Sequence, residues 1–276
     1  MALHSNLLFF TSTLALLAPL LALKIENLER LHVNVDDIIN IYTSDLLSDE
    51  ASGQQSLAAE SRLAQQQSSL PRDCSEVPAG NPSGVYVIQP TGSSPIVVYC
   101  EMGEANGTWT VIQRNRQDTD ISWSESWSTY KHGFGSLQTE FWLGTEYIRQ
   151  ITRQKVYQVR FLIWDASNNK RFADYNLFSL DDESQGYRLR LGAHSGTAED
   201  AMASKGTTTM HDNMKFSTKD RDQDTSSGNC ASVHGGGWWF SSCYSVRLNI
   251  RGGLAWGNLC RGNCSASAIL IKPVTC

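Results

Sequence analysis

The chain has 276 residues, of which 41% are hydrophobic and 18% charged, and its formal net charge is −5. This composition is typical of a packed globular protein. The acidic balance argues against a nucleic-acid-binding protein and against a polybasic membrane surface. Residues 1–23 contain no Asp, Glu, Lys or Arg, so the balance is the same without them.

The first 23 residues have the character of a secretory signal peptide. An apolar run covers residues 14–23, and the small residues Ala18 and Ala22 suit a cleavage site. Pro19 interrupts the run, which makes a membrane-spanning helix a poor fit, although an uncleaved anchor is the alternative. We therefore predict a secreted, extracellular protein.

Residues 24–50 carry a short heptad pattern. Leu28, Val35 and Tyr42 are seven residues apart, with Leu31 and Ile38 at the intervening d positions. The pattern predicts a short helical or coiled-coil stalk, which could form a homo-oligomer through residues 24–47, or a single amphipathic helix on its own domain.

Residues 51–71 are polar and Gln-rich, which is typical of a linker, and the remaining residues, 72–276, form one domain.

Beyond the linker, short β-rich runs alternate with Gly, Ser and Asn clusters. Strands are predicted at "SGVYVIQP", "IVVYCEM", "WTVIQR" and "VYQVRFLIW", the last with one well-buried face. Helices are predicted at "GTEYIRQITRQ" and "TAEDAMAS". These elements indicate a mixed α+β domain whose last 70 or so residues are rich in loops.

Seven cysteines in an exported chain predict disulfides, with one thiol left free or bonded to another molecule. The sequon "NGT" at Asn106 predicts N-glycosylation, which also fits export.

Several motifs, in order, resemble one known domain. They are "DCSEVPAGNPSGVYVIQP", "YKHGFGSLQTEFWLG", "FSTKDRDQDTSSGNCA" and "GGWWFSSCY", with "VYCEM" and "WTVIQRN" between the first two. Over about residues 72–259 the chain is similar to the fibrinogen C-terminal domain, and within that family it most resembles secreted proteins of the fibrinogen-like protein 1-like subgroup. The fold implied is a globular domain with a central antiparallel sheet, few helices and a calcium-binding C-terminal part.

The resemblance assigns a role to a loop crowded with carboxylates. It implies a structural calcium (Ca2+) site made by the side chains of Asp222 and Asp224 and the main-chain carbonyls of Ser226 and Gly228. Oxygen donors on a loop of small residues suit this hard cation. Asp220 is expected to support the site from outside the ligand set.

The resemblance also implies two disulfides, Cys74 with Cys100 and Cys230 with Cys243. Cys260, Cys264 and Cys276 have no clear counterparts in the family. Cys260 with Cys264 is our suggested third pair, which leaves Cys276 at the terminus as a candidate for an interchain bond.

A ligand cavity beside the calcium loop is implied as well. Its matching residues are His234, Ser242, Cys243 and Tyr244, with Trp256 as a neighbour and a cis bond between Ser242 and Cys243. Tyr244 replaces the usual His, and the aromatic run nearer the C-terminus is absent. Trp238 and Trp239 are expected in the core.

Catalysis finds no support in the sequence, because "HGGG" at 234–237 has no G-x-S-x-G partner and no H-E-x-x-H occurs. We therefore predict a secreted, non-enzymatic protein that binds an extracellular protein or receptor. The alternative is a ficolin-like lectin for acetylated glycans. Tyr244, Arg247, Arg251 and Trp256 are candidate anchors of a protein interface.

Overall fold

The structure is a computed structural model that describes residues 25–33, 70–104, 107–203, 206 and 208–274. The predicted signal peptide (1–23), the sequon at Asn106 and the candidate interchain Cys276 lie outside the described residues. Most of the predicted stalk and linker lies outside them too.

Strands dominate the described residues and helices are few, which confirms the predicted α+β class. The strands are β1 (Gly84–Ile88), β2 (Ile96–Glu101), β3 (Trp109–Arg116), β4 (Phe134–Gly135), β5 (Phe141–Trp142), β6 (Tyr157–Trp164), β7 (Lys170–Leu180), β8 (Leu189–Leu191), β9 (His194–Gly196), β10 (Val246–Arg247), β11 (Ala255–Trp256), β12 (Cys260–Arg261) and β13 (Ala266–Pro273). The helices are α1 (Trp127–His132), α2 (Thr145–Thr152) and α3 (Cys230–His234). None of these helices is long and apolar enough to cross a bilayer.

The main sheet has the strand order β1-β2-β3-β13-β6-β7-β8, with every neighbouring pair antiparallel. β13 is the last strand in sequence, yet it lies at the centre between β3 and β6. Strands β10, β11 and β12 form a separate small sheet. The end of the chain therefore holds the middle of the core together, while the segment between β9 and β13 forms the loop-rich part of the domain.

The four predicted strands correspond to β1, β2, β3 and β6. The well-buried face predicted for β6 is confirmed, and its other face is largely buried as well. Arg160 and Leu162, on the other face, are only 8% and 5% exposed. Arg160 tolerates burial because its guanidinium donates to Asp174 at 2.7 and 2.8 Å and to Glu104 at 3.2 Å. Its partners come from other strands and loops, so alternation within β6 could not predict them.

One of the two predicted helices forms. "GTEYIRQITRQ" contains α2, whereas residues 197–203 of "TAEDAMAS" form bends and turns. Long-range hydrogen bonds explain the failure. The Asp200 carboxylate accepts the Tyr175 hydroxyl at 2.7 Å, and the Met202 carbonyl accepts the N–H of His211 at 2.7 Å. Tertiary contacts thus override a favourable local propensity.

Residues 25–33 also differ from the predicted stalk, because they form turns against the domain and no regular helix. Leu31 is fully buried in the core. The Asn27 side chain pairs with the backbone of Val97 on β2, donating at 3.1 Å and accepting at 3.0 Å. The apolar spacing of Leu28 and Leu31 therefore reflects contact with the domain over this segment.

A buried polar network attaches the loop-rich part to the sheet. Asn115 on β3 donates to the carbonyls of Leu248 and Ile250, both at 2.8 Å. Asn249, between them, donates to the Gly237 carbonyl at 3.0 Å. Because all these groups are buried or nearly so, each bond fixes the backbone that it satisfies. The segments on either side of the candidate site are thereby held to the central strands.

Candidate functional site

The loop before α3 brings the predicted calcium ligands into one turn. Asp224 accepts the N–H of Ser226 and the N–H of Cys230, each at 2.8 Å, on separate carboxylate oxygens. Asp222 accepts the N–H of Asp224 at 3.2 Å, and Gly228 donates to the Ser226 hydroxyl at 3.4 Å. The four residues are therefore neighbours in space as well as in sequence.

The negative charges of the Asp222 and Asp224 carboxylates repel each other. Burial raises the pKa of the Asp224 carboxyl, and the nearby Asp222 raises it further. Among the described residues, no Lys, Arg or His lies within 4.0 Å of either carboxylate. A positive charge placed between them would relieve the repulsion.

The donor set fits a calcium ion only with help from the main chain. The described residues contain no group of three or more His, Cys, Asp or Glu side chains placed to hold a metal. Two carboxylates, the carbonyls of Ser226 and Gly228 and solvent would make an all-oxygen set of the kind that calcium prefers. No other atom lies within 4 Å of a Cβ built on Gly228, so the backbone is open there.

Asp220 has a separate role. Its Oδ1 accepts the N–H of Trp127, the first residue of α1, at 2.8 Å and the Thr218 hydroxyl at 2.7 Å. Burial acts to raise the pKa of Asp220, but the hydrogen bonds from Thr218 and Trp127 outweigh it and hold the pKa below its usual value. Asp220 therefore connects the loop to α1, outside the predicted ligand set.

A disulfide joins the carboxylate loop to the segment that follows. Cys230, at the start of α3, is bonded to Cys243, and the peptide bond from Ser242 to Cys243 is cis. Thr225 adds a main-chain hydrogen bond to Ser241 at 3.1 Å. The structure also pairs Cys74 with Cys100 and Cys260 with Cys264, the same pairs that the sequence suggested.

A cavity of about 420 Å³ opens next to this disulfide. Its lining comes from the backbone after Cys243 and from the small sheet β10-β11-β12. The lining residues are Thr209, Tyr244, Ser245, Arg247, Ala255, Gly257, Asn258, Arg261 and Gly262. Of the predicted ligand residues, Tyr244 alone belongs to this lining.

Aromatic contacts connect Tyr244 to α3. The ring of His234 meets the ring of Tyr244 edge-on, with centroids 4.9 Å apart. The guanidinium carbon of Arg247 lies 4.8 Å from the centroid of the Tyr244 ring. Burial lowers the pKa of His234, and the charge of Arg247 lowers it further. Beside His234, the side chain of Val233 is 75% exposed, which is unusual for a large apolar residue.

Trp256 is placed differently from its prediction. Its side chain is fully buried, its ring lies 5.2 Å from that of Phe161 on β6, and its indole N–H donates to the Glu199 carbonyl at 3.0 Å. Trp256 is a core residue beneath the small sheet, because β11 turns it inward toward the main sheet. Trp238 and Trp239 are buried as predicted.

His211 supports the cavity and was missed by the sequence analysis. It is fully buried, and its Nδ1 lies 2.8 Å from the Trp239 carbonyl, to which it donates. Its Nε2 accepts the N–H groups of Ser245 at 3.2 Å and Val246 at 2.9 Å. Burial lowers the pKa of His211 to about 4, so the ring is neutral at physiological pH. No local motif marks this histidine, because its partners lie more than 25 residues away.

Comparisons with known proteins agree with this architecture. A family model described as fibrinogen beta and gamma chains, C-terminal globular domain, matches residues 70–263. A chicken (Gallus gallus) fibrinogen-like protein 1-like protein is 49% identical over 193 residues, which cover 69% of this chain and 68% of that protein. Human angiopoietin-related protein 1 is 38% identical over 74% of this chain, but the match covers only 43% of its own length.

Solved structures of fibrinogen-related proteins are also similar to this chain. The fibrinogen-like globe domain of human ANGPTL6 is similar with a TM-score of 0.68 and 35% identity, covering 75% of this chain and 96% of that one. A lamprey fibrin D-dimer complexed with the peptide ligand Gly-His-Arg-Pro-amide has a TM-score of 0.67 and 28% identity, covering 98% and 91% of the two chains. These similarities show that the chain belongs to the fibrinogen C-terminal domain family.

Proposed function

We propose that this chain is a secreted, non-enzymatic binding protein whose fibrinogen-like domain recognises another extracellular protein or receptor. The observation that carries the proposal is the cavity of about 420 Å³ lined by Tyr244 and Arg247. The exposed Val233 precedes His234 on α3, and the ring of His234 contacts Tyr244. Aromatic and Arg side chains are the residue types that most often anchor protein interfaces. We call the surface formed by Val233, His234, Tyr244 and Arg247 the α3 face.

The relatives support recognition of a protein or peptide. The lamprey fibrin structure contains a bound tetrapeptide amide, and its fold spans nearly all of the present chain. Because the identity is 28%, the similarity supports the kind of ligand and leaves its sequence open.

The chemistry of the cavity suits a polar ligand. Its lining residues carry two guanidinium groups, one phenol, two hydroxyls and one amide.

The calcium site is a structural part of the same proposal. Asp222, Asp224, Ser226 and Gly228 would hold the ion, which supplies the positive charge that the two carboxylates lack. The Cys230–Cys243 disulfide and the hydrogen bond from Thr225 to Ser241 connect this loop to the backbone before Tyr244. An ordered loop would therefore also fix the position of that backbone. Calcium would thus shape the α3 face without contacting a ligand.

The lectin alternative receives less support from the cavity. An acetyl group gains little from burial, about 1 kcal/mol for its methyl group, and so needs a closed pocket. Trp256 is in the core, which leaves Tyr244 as the aromatic ring of the lining. We expect N-acetylglucosamine beads, with calcium present, to retain the protein no better than plain beads. Calcium-dependent retention with elution by free N-acetylglucosamine would favour the lectin.

The test of the main proposal is a binding screen. The full chain, secreted from cultured cells and purified with calcium, is applied to a panel of cells that each display one extracellular receptor or adhesion protein. We expect saturable binding to one or a few members of the panel. Binding to none of them, together with retention on acetylated sugar, would overturn the proposal.

A further inference from the structure

The charged residues of the cavity lining are all positive. Arg247 and Arg261 are its two ionised groups at neutral pH, and both are guanidinium ions. Within the described part of the chain, neither has an Asp or Glu oxygen within 4.0 Å. Two cations that share one cavity without a counter-ion make an electrostatic site for an anion.

Arg247 is held in place before any ligand arrives. Its Nη2 donates to the Gly253 carbonyl at 3.0 Å, and its guanidinium stacks on Tyr244. Gly253 has φ +75°, and a Cβ added to it would lie 2.8 Å from that Nη2, so glycine gives the guanidinium its space. Such a fixed fork loses little freedom when it binds.

The same guanidinium is incompletely satisfied. Its Nε is buried and has no hydrogen-bond partner among the described residues. Because this Nε has almost no accessible surface, a ligand in the cavity would meet the Nη groups of Arg247 and not its Nε.

Arg261 lies across the lining on β12 and is exposed. Its Nη2 donates to the side-chain oxygen of Asn258, which orients the guanidinium. The neighbouring acid is Glu199, which is not part of the lining and whose carboxylate accepts the N–H groups of Asn258 and Leu259. The Glu199 carboxylate also accepts the side-chain amide of Asn258 at 3.5 Å, so it is bonded to both the backbone and a side chain of this turn.

We propose that Arg247 and Arg261 bind the carboxylate of an Asp or Glu side chain presented by a protein ligand. This inference rests on the proposed function, for which it names the recognised chemistry. A guanidinium fork matches a carboxylate with two parallel hydrogen bonds, which are stronger than bonds between neutral groups. Tyr244, Ser245 and Asn258 add polar and aromatic contacts to the neighbouring peptide.

Size and net charge favour one acidic side chain over a long polyanion. A cavity of about 420 Å³ is in the range of pockets that enclose one small ligand. The whole chain carries a net charge of −5, so an extended sulfated polysaccharide would be repelled outside the cavity. A single carboxylate feels mainly the two nearby cations, because charges beyond about 8–10 Å are screened at physiological salt.

The test uses a random linear peptide library displayed on phage and selected on the immobilised full chain. We expect the selected peptides to share an Asp or Glu. Synthetic versions should bind in a fluorescence-polarisation titration, and replacing that Asp or Glu by Asn or Gln should weaken binding about 10-fold or more, as for other hydrogen bonds to charged groups.

Three protein variants locate the effect. Arg247→Gln and Arg261→Gln should each weaken binding of the selected peptides about 10-fold or more. Arg251→Gln removes the same charge outside the cavity, where Arg251 is exposed 3.7 Å from Asp120, and should stay within about twofold of the wild type, as surface charges contribute little. Because Arg261 is exposed, its variant tests the idea even where loss of Arg247 disturbs folding.

The outcomes that would overturn the inference fall into two kinds. Selected peptides without an acidic consensus, or acidic peptides that bind both cavity variants as tightly as the wild type, would exclude carboxylate recognition here. Retention on heparin beads that is lost in both cavity variants, with no acidic peptide selected, would assign the cavity to a sulfated glycan. Either result leaves the receptor screen free to succeed, so failure of the inference is distinguishable from failure of the proposed function.

Discussion

His211 shows how one buried residue supports the candidate site. Its neutral ring joins three backbone groups, the Trp239 carbonyl and the N–H groups of Ser245 and Val246. The last two belong to the segment that runs along the cavity. Protonation of Nε2 would remove the acceptor that these N–H groups use and place a charge in the core.

This geometry predicts a pH dependence of folding. The pKa of His211 is about 4 in the folded protein and about 6.5 in an unfolded chain. Between these values the unfolded chain binds a proton that the folded chain does not, so the free energy of unfolding falls as pH falls. Above about pH 6.5 His211 does not reduce the free energy of unfolding, and by pH 4 its protonation in the unfolded chain lowers that free energy by about 3 kcal/mol.

Urea unfolding of the wild type and of His211→Gln at several pH values from 7 to 4 measures the effect. The variant should be less stable at pH 7 but should lose less stability on acidification. His32→Gln, at an exposed position, is the matched control and should retain the wild-type dependence. Parallel curves for wild type and His211→Gln would contradict the prediction.

Among the elements, residues 25–33 form the contact that differs most from the sequence prediction. Leu31 is fully buried, and its carbonyl accepts the N–H of Leu137 at 3.4 Å. Glu26 donates its N–H to the Pro95 carbonyl at 3.0 Å, next to the pairing of Asn27 with Val97. The segment therefore covers the edge of the domain near β2.

Truncation of Leu31 tests this contact. Leu31→Ala should lower the free energy of unfolding by about 2–5 kcal/mol, the usual cost of removing a buried leucine side chain. Glu29→Ala, two residues away and exposed, should change it by less than about 0.5 kcal/mol. Equal stability of the two variants in denaturant unfolding would show that this segment does not rest on the domain.

The loop before α3 is the second element that can be tested alone. The proposed calcium site exists in the folded loop and not in the unfolded chain, so calcium at 100 times its dissociation constant should stabilise the domain by about 2.7 kcal/mol. Thermal unfolding with calcium and with chelator should show this gain for the wild type, and Asp224→Ala should lose most of it. Asp220→Asn, outside the ligand set, should keep the gain. Identical melting of wild type and Asp224→Ala in both conditions would refute the site.

The local sequence predicted those elements that depend mainly on neighbouring residues. β1, β2 and β3 follow from β-branched runs between turn residues, and the carboxylate loop follows from residue types at fixed spacing. The buried Arg160 and the turns at 197–203 could not be predicted in this way, because their partners are distant in sequence: Glu104 and Asp174 for Arg160, and Tyr175 for Asp200.

The candidate site shows the same division. The family resemblance implied that Tyr244, the residue after Cys243, lies at the cavity, and it belongs to the lining. The resemblance also implied Trp256 beside the cavity, yet β11 directs it into the core against Phe161. Arg261 and Asn258 reach the lining through the pairing of β11 with β12, which a reader of the sequence cannot place.

At the scale of the whole molecule, the main sheet holds the core together, and the candidate site lies in the loop-rich part of the domain. β13 closes the centre of the main sheet, and the Asn115 network holds the loop-rich part to it. The segment after Cys243 and the small sheet then line one cavity, whose charged residues are both Arg in a chain with net charge −5. A rigid sheet thus supports a loop-built surface, the usual arrangement for binding sites.

The most direct test of protein recognition through the α3 face compares two exposed valines. Val233 on that face is 75% exposed, and Val156, before β6, is 59% exposed. The binding of Val233→Asp and Val156→Asp to the partner found in the receptor screen is measured by surface plasmon resonance. We expect Val233→Asp to weaken binding about 10-fold or more, because a charge is placed in the interface, and Val156→Asp to bind like the wild type. Unchanged binding by Val233→Asp, with loss in Val156→Asp, would place the interface elsewhere and contradict the proposed function of the α3 face.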